Sequence, residues 1–230
     1  MFLAYTRGFL MSDAAPLSID VVSDVVCPWC YIGKRFLEKA IALKPEIAVE
    51  VRFRPYFLNP WVPREGISRE QYLITKFGSV ERYNANSQRI VDAAAHAGLD
   101  YARDKIKRQP NTLDCHRLIL WAGGNAAAMK QRLMEIYFSE GGDLTSRDVL
   151  VQAAIDGGLD GDEVRGKLAT EEDAAEVEAE ANFAKDAGID GVPCFVFGRL
   201  MAVSGAQPPD ALAQTIERAA QEVAKRVAAE

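Results

Sequence analysis

The 230-residue chain is long enough for one large domain or for a domain carrying an insertion, and with 49% apolar residues it can bury a real core. Its 33 acidic against 27 basic residues give a net charge of −6, and no long basic run occurs, which argues against nucleic-acid binding. Four cysteines are too few for a disulfide scaffold, and no apolar run reaches membrane-spanning length.

Residues 1–16 read as a loose N-terminal tail. Met1 to Met11 is mildly apolar but contains Arg7, and it lacks a charged start followed by a continuous apolar core, so it does not read as a signal peptide. A reducing, cytoplasmic compartment is the expectation. Leu17 to Val26 alternates apolar residues at Leu17, Ile19 and Val21 and then runs on as apolar, which suits a strand of a buried sheet. Cys27-Pro28-Trp29-Cys30 follows, with Pro28 in a first helical turn, where its missing N–H does no harm. Tyr31 to Leu43 continues as a helix with Phe36, Leu37, Ala40 and Ile41 as its core stripe, closed by Pro45. Ile47 to Phe53 alternates cleanly and puts Glu50 and Arg52 on one face of a second strand. Strand, helix and strand make a parallel unit with a helical crossover.

Pro55 to Pro63 breaks regular structure, and a long helical block follows. Ser68 with Gln71 forms a capping box, Val80 to Ala97 is a helix stopped by Gly98, and Asn111 or Thr112 caps the next. Further helices cover Ala126 to Phe138, the stretch from Thr145 or Ser146 to Gly157, and Asp162 to Leu168. Thr170 with Asp173 caps another that runs to Ala187. Cys194 to Phe197 and Leu200 to Val203 then read as a hairpin about Gly198-Arg199, and a C-terminal helix spans Asp210 to about Val227. The order describes a small mixed sheet interrupted by an all-helical insertion.

The C-x-x-C pair carries the chemistry. Two thiols so spaced in a first helical turn lie close enough to bridge with little backbone movement. The free N–H groups of the helix and its dipole favour negative charge on the first sulfur, so Cys27 is expected to be the attacking thiolate and Cys30 the resolving thiol. A purely structural bridge over so short a loop would restrict the unfolded chain little. A zinc site normally needs four ligands, and the chain has no second C-x-x-C and only His96 and His116 as histidines, so no metal is expected. Cys115 and Cys194 read as free buried cysteines. Gly191-Val192-Pro193, just before the returning strand, reads as a cis-proline element.

Cys27-Pro28-Trp29-Cys30-Tyr31-Ile32-Gly33, Gly191-Val192-Pro193 and the helices between them resemble the DsbA-like thiol–disulfide oxidoreductases. The resemblance is closest to the FrnE-type branch, whose relatives include 2-hydroxychromene-2-carboxylate isomerase and kappa-class glutathione transferase. Phe57-Leu58-Asn59-Pro60 and the stretch Asn111 to Leu118 share it. It implies an α/β, thioredoxin-like fold with a large all-helical insertion: a discontinuous thioredoxin-like domain of residues 17–60 and 171–230, and an insertion of residues 61–170. It implies Cys27 as nucleophile, Cys30 as resolving thiol, Pro28 and Trp29 between them, and Val192 and Pro193 facing the disulfide. It also implies Asn59, Asn111 and His116 as residues lining the cleft.

The isomerase and transferase relatives carry serine where this chain has Cys27, which favours thiol exchange here. Many thioredoxin-like enzymes carry a buried acid where this chain has Val21; Asp20 and Asp24 are close in sequence, and neither is assigned as proton acceptor for Cys30. The expected partners are protein or small thiol and disulfide substrates, with no nucleic acid and no membrane, and a homodimer is left open. No bound cofactor is expected beyond the redox-active Cys27–Cys30 disulfide, with glutathione as a candidate co-substrate. Two alternatives stand beside this reading. One is a glutathione-dependent isomerase or transferase holding carboxylates on Arg54, Asn59 and Arg117. The other is a peptide-binding, chaperone-like module using the groove beside Pro193. The sequence argues against a triad hydrolase, since neither His96 nor His116 sits in a recognisable nucleophile–base setting and no G-x-S-x-G elbow occurs, and phosphate and dinucleotide loops are absent.

Overall fold

The computed structural model describes residues 15–229. The expected N-terminal tail therefore lies, but for Ala15 and Pro16, outside the described residues. β1 (Leu17–Ser23), α1 (Pro28–Ala42) and β2 (Val49–Pro55) form the parallel crossover unit, with β1 and β2 in register from Leu17 opposite Val49 to Ser23 opposite Pro55. β5 (Cys194–Phe197) returns antiparallel to β1, and β6 (Met201–Ser204) pairs with β5. The sheet order is β2-β1-β5-β6, so the strand that leads into the cysteine pair is central and buried on both sides. That is the thioredoxin-like arrangement, with one run of helices spliced between β2 and β5.

Side-chain alternation assigns the two faces. Ile19 and Val21 with Phe195 and Phe197 share a core with Leu37 of α1 and with Leu212 and Ile216 of α9 (Pro209–Val227). Val22 and Cys194 pack with Ala184 of α8 (Ala174–Asp186) and with Tyr56. The β5–β6 turn places Gly198 at φ 57° and Arg199 at φ 58°, two successive left-handed residues, as a tight hairpin with right-handed twist requires.

The spliced block comprises α2 (Arg69–Phe77), α3 (Val80–Ala97), α4 (Leu113–Trp121), α5 (Ala126–Glu135), α6 (Arg147–Asp156), α7 (Gly161–Leu168) and α8. Its caps follow the serine pattern: Ser68 accepts from the Gln71 N–H, Ser79 from Arg82 and Ser146 from Val149. One expected cap is not made. Asp173 precedes α8 at φ 60° with no capping bond, because its carboxylate is drawn to the Trp121 indole N–H at 2.8 Å. Thr170 instead accepts the Glu172 N–H within the turn.

Two features escaped the pattern. A ribbon of two-residue strands, β3 (Ile67–Ser68) and β4 (Arg108–Gln109), is too short to display a period. A π-helical turn, Ile136–Glu140, extends α5 and buries Tyr137 and Phe138. The core of the block is continuous with that of the sheet: Leu118, Met129, Leu133 and Phe138 belong to the same cluster as Ile19 and Phe195. Among the described residues no helix is long and apolar enough to cross a membrane.

Candidate active site

Cys27 is the N-cap of α1, and its carbonyl accepts the N–H groups of Cys30 and Tyr31 at 3.0 and 3.1 Å. Pro28 has no N–H, so the N–H groups of Trp29 and Cys30 are the first that can face the Cys27 sulfur, the Cys30 one shared with the Cys27 carbonyl. The two cysteines approach within 3.3 Å. The Cys30 thiol donates to the Cys27 sulfur and lowers its pKa; burial opposes this, the Cys30 and Trp29 N–H groups reinforce it, and the Asp24 charge works against it. The same contact acts in reverse on Cys30: burial first, then its role as donor and the nearby Cys27 charge push its pKa well above the ordinary thiol range. The pair is therefore split into a sulfur that ionises early and one that holds its proton.

The Val192–Pro193 peptide is cis, and the Cys27 thiol reaches the Val192 carbonyl at 3.6 Å. Gly33 makes this approach possible. A Cβ there would stand 2.9 Å from Pro193 Cγ and 3.2 Å from Phe195 Cζ, so only a residue without a side chain lets α1 settle against the proline. Gly33→Ala is expected to cost about 1–3 kcal/mol in a denaturant melt, the usual price of overpacking, and to slow reaction of Cys27 with thiol reagents as Pro193 is displaced. An unchanged midpoint together with unchanged thiol reactivity would contradict this.

Cys27 is only 3% exposed, but what it exposes opens onto a cleft of 720 Å³. Pro28, Trp29, Gly191 and Val192 form one wall of the cleft, and Arg69, Tyr72, Lys76, Arg82, Tyr83 and Arg89 of α2 and α3 face them.

Beneath the sulfurs lies a charged cluster. Asp24 is fully buried; burial resists its ionisation, but His116, the Leu58 N–H at 2.9 Å and Lys130 outweigh this and hold its carboxyl below the usual range. His116 Nε2 stands 3.4 Å from Asp24 Oδ1, too poorly aligned for a hydrogen bond, which leaves both atoms without a hydrogen-bond partner. Burial pushes the His116 imidazole down, against the pull of Asp24. Lys130 is 1% exposed, sits 5.5 Å above the Phe53 ring and donates weakly to the Ser23 carbonyl at 3.4 Å. Burial brings its ammonium down to about 8, against upward pulls from Cys30 and Asp24.

The sequence did not assign Asp24 or Lys130 a place here. The signal for Lys130 was present: it follows Ala126 and Met129 and precedes Leu133 at helical spacing, on the stripe that faces the core.

Three expected cleft residues stand elsewhere. Asn59 and Asn111 line a separate cavity of 240 Å³ with Phe57 and Arg64. Asn111 is tied at both ends, donating to the Val62 carbonyl and accepting the Leu113 N–H just ahead of α4. His116 is sealed in the core beside Asp24. Asn59 touches the cleft only indirectly, through its side-chain oxygen on Lys76 at 2.5 Å.

The carboxylate holders of the transferase alternative are also committed. Arg54 pairs with Asp20 and Glu180. Arg117, fully buried, pairs with Asp114 and donates to the carbonyls of Lys167, Thr170 and Glu172. Both arginines are structural ties. Cys194 packs with Val22, Tyr56 and Ala184, in a cluster apart from the one holding Cys27 and Cys30. Cys115 is completely buried, and burial pushes its thiol well up.

A helix-capping cysteine pair facing the peptide before a proline, on a β2-β1-β5-β6 sheet, defines a thioredoxin-like protein. Its particular lineage follows from comparison: the DSBA-like thioredoxin domain matches residues 18–217, and the chain belongs to that family. The probable DsbA oxidoreductase of Streptomyces coelicolor superposes with a TM-score of 0.82 at 34% identity, covering 90% of this chain and 91% of that one. A 2-hydroxychromene-2-carboxylate isomerase superposes at 0.68 with 14% identity, covering 90% and 98%, a likeness of fold. The uncharacterized protein YwbO of Bacillus subtilis strain 168 is 26% identical over 212 residues, 86% of this chain and 94% of that protein. These neighbours agree with the FrnE-type branch that the sequence resembles.

Proposed function

We propose that this protein is a thiol–disulfide oxidoreductase in which Cys27 exchanges disulfides with protein or small thiol substrates, in a cytoplasmic setting. The observation that carries the reading is the asymmetric pair, one sulfur at a helix N-terminus open to a large cleft and its partner 3.3 Å away and deeper. The Cys27 thiolate attacks a substrate disulfide, a mixed disulfide forms at Cys27, and Cys30 displaces the second substrate sulfur. Read backwards, the same steps donate a disulfide.

The test is equilibration in glutathione buffers, read by tryptic mass mapping. A single Cys27–Cys30 bridge is expected to form, with a potential between about −270 and about −120 mV, while Cys115 and Cys194 remain thiols. A bridge that draws in Cys194, or no bridge at all, overturns the reading. A pH titration of thiolate absorbance at 240 nm supplies the second check. One thiolate is expected to ionise below the ordinary thiol value of about 8.5, and Cys27→Ser should remove that step. A first ionisation at or above that value counts against Cys27 as the nucleophile.

A further inference from the structure

The cleft beside the cysteine pair has a charge opposite to that of the chain. The protein carries an acidic excess, yet every charged side chain lining this cleft is cationic: Arg69, Lys76, Arg82 and Arg89, with no aspartate or glutamate among them. Among the described residues none of the four is paired with a carboxylate. Arg69 is the most telling. Its guanidinium lies 5.0 Å from the Tyr72 ring and 5.2 Å from the Tyr83 ring, and it donates to Gln109, Tyr137 and Tyr83, all neutral acceptors. Aromatic faces and neutral oxygens hold the group in place without cancelling its charge. Arg82 and Arg89 are exposed at the α3 side of the same cleft. Concentrating one sign of charge in a low-dielectric concavity raises the local concentration and the on-rate of the opposite sign.

We infer that this cleft selects the partner in the exchange, and that the partner is a peptide segment whose cysteine is flanked by acidic side chains. The inference rests on the exchange function proposed above and names its substrate class. The cleft runs from Val192 and Cys27 to Arg82 and Arg89, so a chain bonded to Cys27 carries its neighbouring residues onto α2 and α3. In the reaction the Cys27 thiolate attacks one sulfur of the peptide disulfide and releases one peptide thiolate. Cys30 then attacks the Cys27 sulfur and releases the other. The peptide disulfide gains two electrons, Cys27 and Cys30 lose them, and the protons of the two protein thiols end on the released peptide thiols.

The test uses the reduced full-length protein and three disulfide-linked peptide dimers of equal length, with the cysteine flanked by glutamates, glutamines or lysines. Rates of Cys27–Cys30 bridge formation are measured by quenched mass spectrometry. Each is divided by the rate of the same peptide with dithiothreitol, which removes differences in intrinsic reactivity. The glutamate peptide is expected to exceed the glutamine peptide by about tenfold or more at low ionic strength, with the lysine peptide slowest. In 1 M salt that ratio should contract to within about twofold.

Arg82→Ser/Arg89→Ser, both on an exposed helix face, is expected to lower the glutamate-to-glutamine ratio by about threefold or more. Should that variant fail to fold, the peptide series and its salt dependence in the wild type decide the matter. Equal corrected rates for all three peptides, or a faster lysine peptide, overturn the acidic-substrate inference and leave the exchange function standing. So does a ratio untouched by salt and by the double substitution. Failure of every peptide to form the bridge overturns the exchange function itself.

Discussion

Cys27→Ser is expected to abolish turnover of a model disulfide, by about three orders of magnitude or more, because a serine hydroxyl is not ionised at neutral pH and forms no mixed disulfide. Cys30→Ser is expected to fail differently. Its Cys27 still caps α1 beneath the Trp29 and residue-30 N–H groups, so the first attack proceeds and the product stays trapped as a mixed disulfide. A non-reducing gel and intact mass should show near-stoichiometric adducts with Cys30→Ser and none with Cys27→Ser. Removing the Cys30 thiol also removes the largest single influence lowering the Cys27 pKa, so adduct formation should shift to higher pH than in the wild type. Equal residual activity in the two variants would contradict the division of labour.

Lys130→Met is expected to slow the resolving step by about tenfold at neutral pH and to spare the first attack. Cys30 must lose its proton to resolve the adduct, and burial is the largest factor holding that proton on; the Lys130 charge works in the opposite direction. Methionine keeps the length of the side chain and gives up the charge; because Asp24 loses one of the charges that hold it ionised, a lower melting temperature is expected alongside the kinetic change. The sign of the pH effect is defined. Without the ammonium the Cys30 pKa rises further, so resolution should recover as pH is raised, and the adduct lifetime at pH 9 should approach that of the wild type. Wild-type Lys130, brought down to about 8, loses its charge as pH rises through this range, so its help to the Cys30 thiolate fades and the two proteins converge toward pH 9. Single-turnover kinetics of the mixed disulfide between pH 6 and 9 make the measurement. A pH-independent loss would mark Lys130 as structural only.

Much of the site was legible because its parts are local. Cys27, Pro28 and Cys30 fall within one helical turn, so spacing and a proline at the start of α1 suffice to place a sulfur at a helix N-terminus. Period-two alternation marked β2, and paired glycine-arginine chemistry marked the β5–β6 turn, because strand pleat and left-handed backbone are properties of neighbouring residues. Asn59, Asn111 and His116 show where locality ends. All three are polar residues near the right elements. Asn59 and Asn111 open into another cavity, and His116 is turned inward to Asp24, because side-chain direction depends on how α4 packs and not on its sequence neighbours.

By itself the sequence determined the order of elements, the dithiol and the proline opposite it. Only the tertiary structure decided what surrounds them. Asp24 and Lys130 are 106 positions apart and become neighbours of the same sulfurs because α5 packs against β2 and Lys130 reaches the end of β1 at Ser23. The cations of α2 and α3 likewise face Cys27 only after the spliced block folds back over the sheet. The reason is physical: a helix turn or a strand alternation is fixed over a few residues, whereas burial, charge–charge coupling and the sign of a cleft act through space between segments distant in the chain.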